Sequence, residues 1–133
     1  MNFQVENLFK DGKEVFYERG SFIYRKGDKI SDEAIFYIKD GLVTLRINKK
    51  NGDKIKVYRQ KGEIFGIDES LILNERIIDS IAEENTIVYI WNKTDFFLNT
   101  SINWELSLYS IKSLSSFLRI LNSEFLDQKS FSF

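Results

Sequence analysis

Six glycines, Gly20, Gly27, Gly41, Gly52, Gly62 and Gly66, cut the first half of the chain into short runs rich in β-branched and aromatic residues. Glycine takes positive φ without steric penalty, so this punctuation marks tight turns and predicts many short strands. Along Leu42-Val43-Thr44-Leu45-Arg46-Ile47-Asn48, the side chains of Val43, Leu45 and Ile47 share one face, and Thr44, Arg46 and Asn48 the other, as in a half-buried strand. Asn51-Gly52 then tolerates the positive φ of a turn, and Ile55, Val57 and Tyr58 resume the β pattern, which predicts a hairpin. Ala34 to Ile38 and Thr86 to Trp91 are denser apolar runs, expected of strands buried on both faces. With a short helix from Phe3 to Phe9 ahead of them, these runs predict a small barrel or double-layered roll.

The pattern changes after Asn92. Turn-forming glycines vanish, and the stretch from Ile102 to Gln128 carries Leu, Ser and Phe at helical spacing. Trp104, Ile111, Leu118 and Phe125 recur every seven residues, with Leu114 and Leu121 three after Ile111 and Leu118. Such an a/d stripe serves either a helix packed on its own β core or one pairing with its twin in a dimer. The dimer reading assigns Ile111, Leu114, Leu118, Leu121 and Phe125 to the seam. The uncharged serines Ser107, Ser110, Ser113, Ser115 and Ser116 differ from the charged flanks of a free coiled coil, so part of the helix is expected to be covered. The division read from this pattern is a β-roll over residues 1–100 and a helical segment over 101–133.

A chain of 133 residues is long enough for one real hydrophobic core. It contains neither cysteine nor histidine, which excludes disulfides, zinc fingers, thiolate nucleophiles and His-based triads or metal sites; no metal is expected. Nineteen basic against twenty acidic residues give no global field toward nucleic acid or an anionic membrane, so any phosphate binding must be local. No window is apolar enough for a membrane span and no leader pattern opens the chain, which reads as cytoplasmic. Charge is nevertheless uneven. Arg46, Lys49, Lys50, Lys54, Lys56, Arg59 and Lys61 surround the hairpin against Asp53 alone, and Glu63 to Glu84 is acidic except for Arg76. A solvated edge protected by lysines explains the basic hairpin more simply than contact with nucleic acid.

Taken with their neighbours, the glycines form a recognisable series. Phe16-Tyr17-Glu18-Arg19-Gly20-Ser21-Phe22-Ile23-Tyr24-Arg25-Lys26-Gly27-Asp28, Phe36-Tyr37-Ile38-Lys39-Asp40-Gly41-Leu42-Val43, Asn51-Gly52-Asp53 and Gly62-Glu63-Ile64-Phe65-Gly66 closely resemble the cyclic-nucleotide-binding domain family, in particular the sensor domain of Crp/Fnr-type bacterial transcription regulators. The resemblance spans about residues 14 to 99. It implies a mainly β fold with flanking helices: a jelly-roll-like β-roll of the double-stranded β-helix kind, followed by a long C-terminal helix. It also implies a phosphate-binding segment inside the roll, with cAMP or cGMP as ligand and no other cofactor.

A cyclic phosphate needs backbone N–H groups and a guanidinium able to fork two donors onto its oxygens. Gly66 permits close backbone approach, and Asp68 to Leu73 is expected to form a short helix facing the anion. By the resemblance, Arg76 takes the phosphate-clamping position, with Ala82 six residues on. Gly66, Ile67, Glu69, Ser70, Arg76 and Ile77 are thus the expected ligand-binding residues, with Ser115, Ser116 and Asn122 reaching in from the helix. The alternative is a structural Arg76 paired with Glu75 or Asp79. Four positions depart from the family pattern: Ile67 stands where a ribose-binding Glu is usual, Glu75 where proline is usual, and Ile77 and Ile78 where small residues follow the arginine. Losing a buried acceptor and gaining apolar bulk costs a nucleotide site several kcal/mol.

In the resembling regulators a helix-turn-helix follows the long helix; here the sequence reaches Phe133 first, so this chain alone is expected to bind no DNA specifically. The sequence therefore suggests a non-enzymatic, homodimeric ligand-sensing domain in which ligand alters helix packing. The alternative is a degenerate roll that binds no nucleotide and serves as a dimerisation or docking module. Catalysis would have to rest on Asp68, Glu69, Glu75 and Asp79, whose spacing specifies no reaction.

Overall fold

A computed structural model describes residues 3–70 and 73–129. Helix α1 (Phe3–Phe9) leads into β1 (Lys13–Tyr17), β2 (Phe22–Tyr24), β3 (Glu33–Asp40), β4 (Leu42–Asn48), β5 (Lys54–Gln60) and β6 (Ile64–Phe65). After the one-turn α2 (Ile67–Ser70) come β7 (Asp79–Ala82), β8 (Thr86–Asn92), α3 (Lys93–Ile102) and α4 (Trp104–Lys129). The strands form two antiparallel sheets, ordered β1-β8-β3-β6 and β2-β7-β4-β5, which face each other as an open jelly roll. The expected strands and hairpin are all present, with β4 and β5 paired from Leu42↔Gln60 to Asn48↔Lys54.

Alternation explains why the centres of β3 and β8 are apolar on both faces. Phe36, Ile38, Val88 and Ile90 point into the roll, where they meet Val43, Leu45, Val57, Phe65 and Ile78. Ile35, Tyr37, Tyr89 and Trp91 point the other way and are covered by Phe9 of α1, Phe96 of α3 and Leu106 of α4. Phe9 stacks on Tyr37 at 5.0 Å between ring centroids and meets Trp91 at 4.8 Å. Fully burying an apolar side chain of this size contributes about 1.5–3 kcal/mol, so the helices are held mainly through this second layer. Gly41, at φ +113°, turns β3 into β4 against Thr86; a Cβ there would fall 2.4 Å from the Thr86 hydroxyl oxygen.

The helical segment is longer than its predicted extent and is broken. Asn92 caps α3, its side chain accepting from the N–H groups of Thr94 and Asp95. The boundary expected after residue 100 falls within α3. Asn103 then serves two helices: its N–H donates to Asn99 O at 2.8 Å, and its side-chain oxygen accepts from Leu106 N at 3.0 Å. Along α4, Leu106, Ser110 and Phe117 are buried and Leu114 packs on the core, whereas Trp104, Ile111 and Leu118 are exposed. The seven-residue series Trp104, Ile111 and Leu118 thus follows the outer face, and the covered face carries Leu106, Ser110, Leu114 and Phe117. The side chains of Leu121 and Phe125 lie outside the described residues. Among the described residues, no helix is long and apolar enough to cross a membrane.

Candidate anion site at Arg76

Gly66 closes β6 with φ +90°, and a Cβ there would stand 2.5 Å from the Ala34 carbonyl oxygen. Only glycine lets the two backbones approach so closely, and their carbonyls converge on one guanidinium. Arg76 Nη1 donates to Gly66 O at 3.1 Å, and Nη2 donates to Ala34 O at 3.0 Å. The Ser70 hydroxyl also donates to Gly66 O, at 2.6 Å. Backbone pairing on the other side fixes Arg76 in place: its N–H donates to Asp28 O and its carbonyl accepts from Gly27 N, each at 2.8 Å. The guanidinium carbon lies 4.1 Å from the Tyr24 ring centroid and 5.9 Å from that of Phe36.

Arg76 is 4% exposed, so its charge needs a nearby anion. Glu69, 1% exposed on α2, supplies it. Its Oε1 accepts from Arg76 Nη1 at 3.3 Å, and its Oε2 accepts from the backbone N–H groups of Ile78, at 3.1 Å, and Ile77. Sequence proximity had offered Glu75 or Asp79 as structural partners. Instead the backbone of the exposed Glu75 forms an isolated β-bridge with that of Lys29, and Asp79 accepts from Arg46 Nη2 at 2.8 Å and from Lys26 N. Burial alone would push the Asp79 carboxyl up; the Lys26 N–H and the Arg46 guanidinium outweigh it and hold the carboxyl below its usual range.

Of the six residues expected around the ligand, Gly66, Ile67, Glu69, Ser70 and Arg76 are buried around the cassette formed by β6, α2 and the start of β7. Ile77 contributes its N–H, while its side chain is exposed. Ser115, Ser116 and Asn122 are exposed; α4 instead turns Ser113, Leu114 and Phe117 toward the roll. Where those residues meet Leu45, Arg59, Ile64, Phe65 and Ile67, only about 10 Å³ remains. A second buried guanidinium fills this junction. Arg59 Nη2 donates to Ser113 O at 3.3 Å, Nη1 lies 3.9 Å from Glu63 Oε2, and the guanidinium carbon is 6.0 Å from the Phe117 ring centroid. Counting Arg59 with the solvated lysines was therefore mistaken. Strand parity, which places it on the face of Ile55 and Val57, held the signal.

Other openings are shallower or lie elsewhere. One of about 170 Å³, lined by Tyr17, Tyr24, Asp28, Lys29 and Ser31 among others, reaches the far side of Arg76. A second, of about 200 Å³, lies beside α4 at Tyr109, Ser113 and Ser116. Burial pushes the Tyr109 phenol far above its ordinary range, with Tyr37 and Glu63 adding to the effect. A cleft of about 460 Å³ between α1 and α3 carries Asp11, Glu33 and Asp95. No group of side chains suited to hold a metal ion occurs among the described residues.

Residues 14–98 match the family described as the cyclic nucleotide-binding domain. The chain belongs to this family. Among curated proteins no sequence matches. Solved structures with the same fold include a transcriptional regulator from Thermotoga maritima, with TM-score 0.77 and 17% identity over 95% of this chain and 98% of that one. The catabolite activator protein of Thermus thermophilus follows at 0.76 and 23%, covering 97% and 60%. Oxidised CprK in complex with o-chlorophenolacetic acid gives 0.75 and 14%, covering 97% and 53%. The chain thus spans 60% and 53% of the latter two structures.

Proposed function

We propose that this chain is a non-enzymatic regulatory β-roll of the Crp/Fnr type that dimerises through α4 and does not bind cyclic AMP or cyclic GMP. The observation that carries this reading is the engagement of Arg76 by Glu69 and two carbonyls. A phosphate would have to displace a buried carboxylate already held by three donors. Room is short as well: pockets that bury a drug-sized ligand measure about 300–1,000 Å³, far above the remnant between the roll and α4. The carboxylic acid named with CprK supports the idea that this fold can serve ligands other than cyclic nucleotides.

Dimerisation is supported by the exposed, seven-residue series Trp104, Ile111 and Leu118, an apolar seam left open among the described residues. Thermal unfolding with millimolar cyclic AMP or cyclic GMP tests the ligand half of the proposal. The midpoint should stay within 1 °C or so of the ligand-free value, whereas a saturable rise of several degrees with either nucleotide would overturn it.

A further inference from the structure

We infer that Glu69 is a tethered ligand: its carboxylate occupies a niche built from Arg76 and the N–H groups of Ile77 and Ile78, and that niche takes a free small carboxylate once the Glu69 side chain is removed. This inference rests on the reading that the site excludes cyclic nucleotides and adds what the site does hold.

The donor set is one that recognises an anion. Two successive backbone N–H groups and a guanidinium converge on one carboxyl group, and the other two acceptors of Arg76, the carbonyls of Gly66 and Ala34, are uncharged. Tyr24 and Phe36 flank the guanidinium, and burial of Arg76 to 4% exposure strengthens its attraction for a negative charge. Size selects the class of anion. The Glu69 carboxylate fills the niche and is 1% exposed, and cutting its side chain back to Cβ vacates the volume of a carboxylate on one or two carbons, less than a substituted phosphate needs.

The tether has a structural consequence. Glu69 lies on the same helical turn as Ile67, whose buried side chain shares the junction with Leu114 and Phe117 of α4. Anchoring the carboxylate to the start of β7 therefore fixes the α2 surface on which α4 rests. In this form the domain is permanently occupied, and its α4 arrangement is the occupied one.

The experiment follows unfolding of the full chain carrying Glu69→Ala in sodium acetate, sodium phosphate and sodium chloride of equal ionic strength. Removing one member of a buried ion pair should lower the midpoint by about 10 °C or more in chloride. Acetate should return several degrees of that loss and saturate, phosphate should return less, and neither should raise wild type or the double variant Glu69→Ala/Arg76→Met above its chloride value. Equal effects of acetate on all three proteins, or none on Glu69→Ala, would overturn the inference. If Glu69→Ala does not fold in chloride, Glu69→Gln decides. A midpoint well below wild type supports an ionic ligand, and one equal to wild type overturns it. Stabilisation of wild type by cyclic AMP would defeat the functional reading and leave the acetate result to stand or fall by itself.

Discussion

Glu69 Oε1 stands 3.3 Å from Arg76 Nη1 with both side chains almost wholly buried, seven residues apart in sequence, the first on α2 and the second in the segment before β7. A pair so placed owes its stability to completion: either partner alone leaves an uncompensated charge in the core. Glu69→Met and Arg76→Met should each cost about 3–5 kcal/mol, and the double variant much less than their sum. Urea unfolding of the four proteins measures this coupling, and additive losses would show that the two groups act independently.

The outer seam of α4 makes a prediction about mass. Ile111→Asp with Leu118→Asp places two charges where an apolar helix partner would sit, and both residues are exposed in the monomer, so the fold should survive. Light scattering should report a dimer for wild type and a monomer for the variant. The same mass for both would remove α4 from assembly.

Two glycines separate backbone strain from steric clash. Gly20 and Gly66 share φ +90°, yet a Cβ at Gly20 meets nothing within 4 Å, whereas at Gly66 it strikes the Ala34 carbonyl. Gly20→Ala should cost about 1 kcal/mol from the left-handed backbone alone. Gly66→Ala should cost at least 2 kcal/mol more, because the strand it abuts also positions the Arg76 acceptor. Equal midpoints in denaturant would refute the close approach.

Acid should expose the Asp79 contribution. With its folded pKa below the unfolded value, Asp79 stabilises the protein above about pH 4 and loses that effect as pH falls through the folded pKa. Asp79→Asn removes charge-assisted bonds to Arg46 and Lys26 worth about 2 kcal/mol at neutral pH. The stability gap between variant and wild type should narrow steadily from pH 5 toward about pH 2. A gap that stays constant across that range would mean the carboxylate charge is unimportant.

The roll was legible because glycine turns and strand alternation are local signals, and β4 and β5 obey both. Arg76 was singled out by the family resemblance, with Ala82 six residues on. Its partner was not, because that choice depends on register. The bridge of Lys29 to Glu75 turns Glu75 outward, and the pairing of Arg46 with Asp79 across β4 and β7 claims the other candidate. Arg59 was misread by composition: it sits among lysines in sequence, while strand parity carries it inward to Phe117. For α3 the signal was present in Asn92 followed by Asp95, a capping residue and an acid in the first turn, but it was masked by the apolar strand running into it.

Asn103 ends one helix and begins the next, so the torsions of one residue set the angle at which α4 leaves α3. At 1.5 Å per residue its 26 residues make an arm of about 39 Å, and a ten-degree swing at that knuckle would carry the far tip through about 7 Å. Small adjustments where Ile67 meets Leu114 are therefore magnified with distance, and whatever lies at the tip would feel the largest displacement.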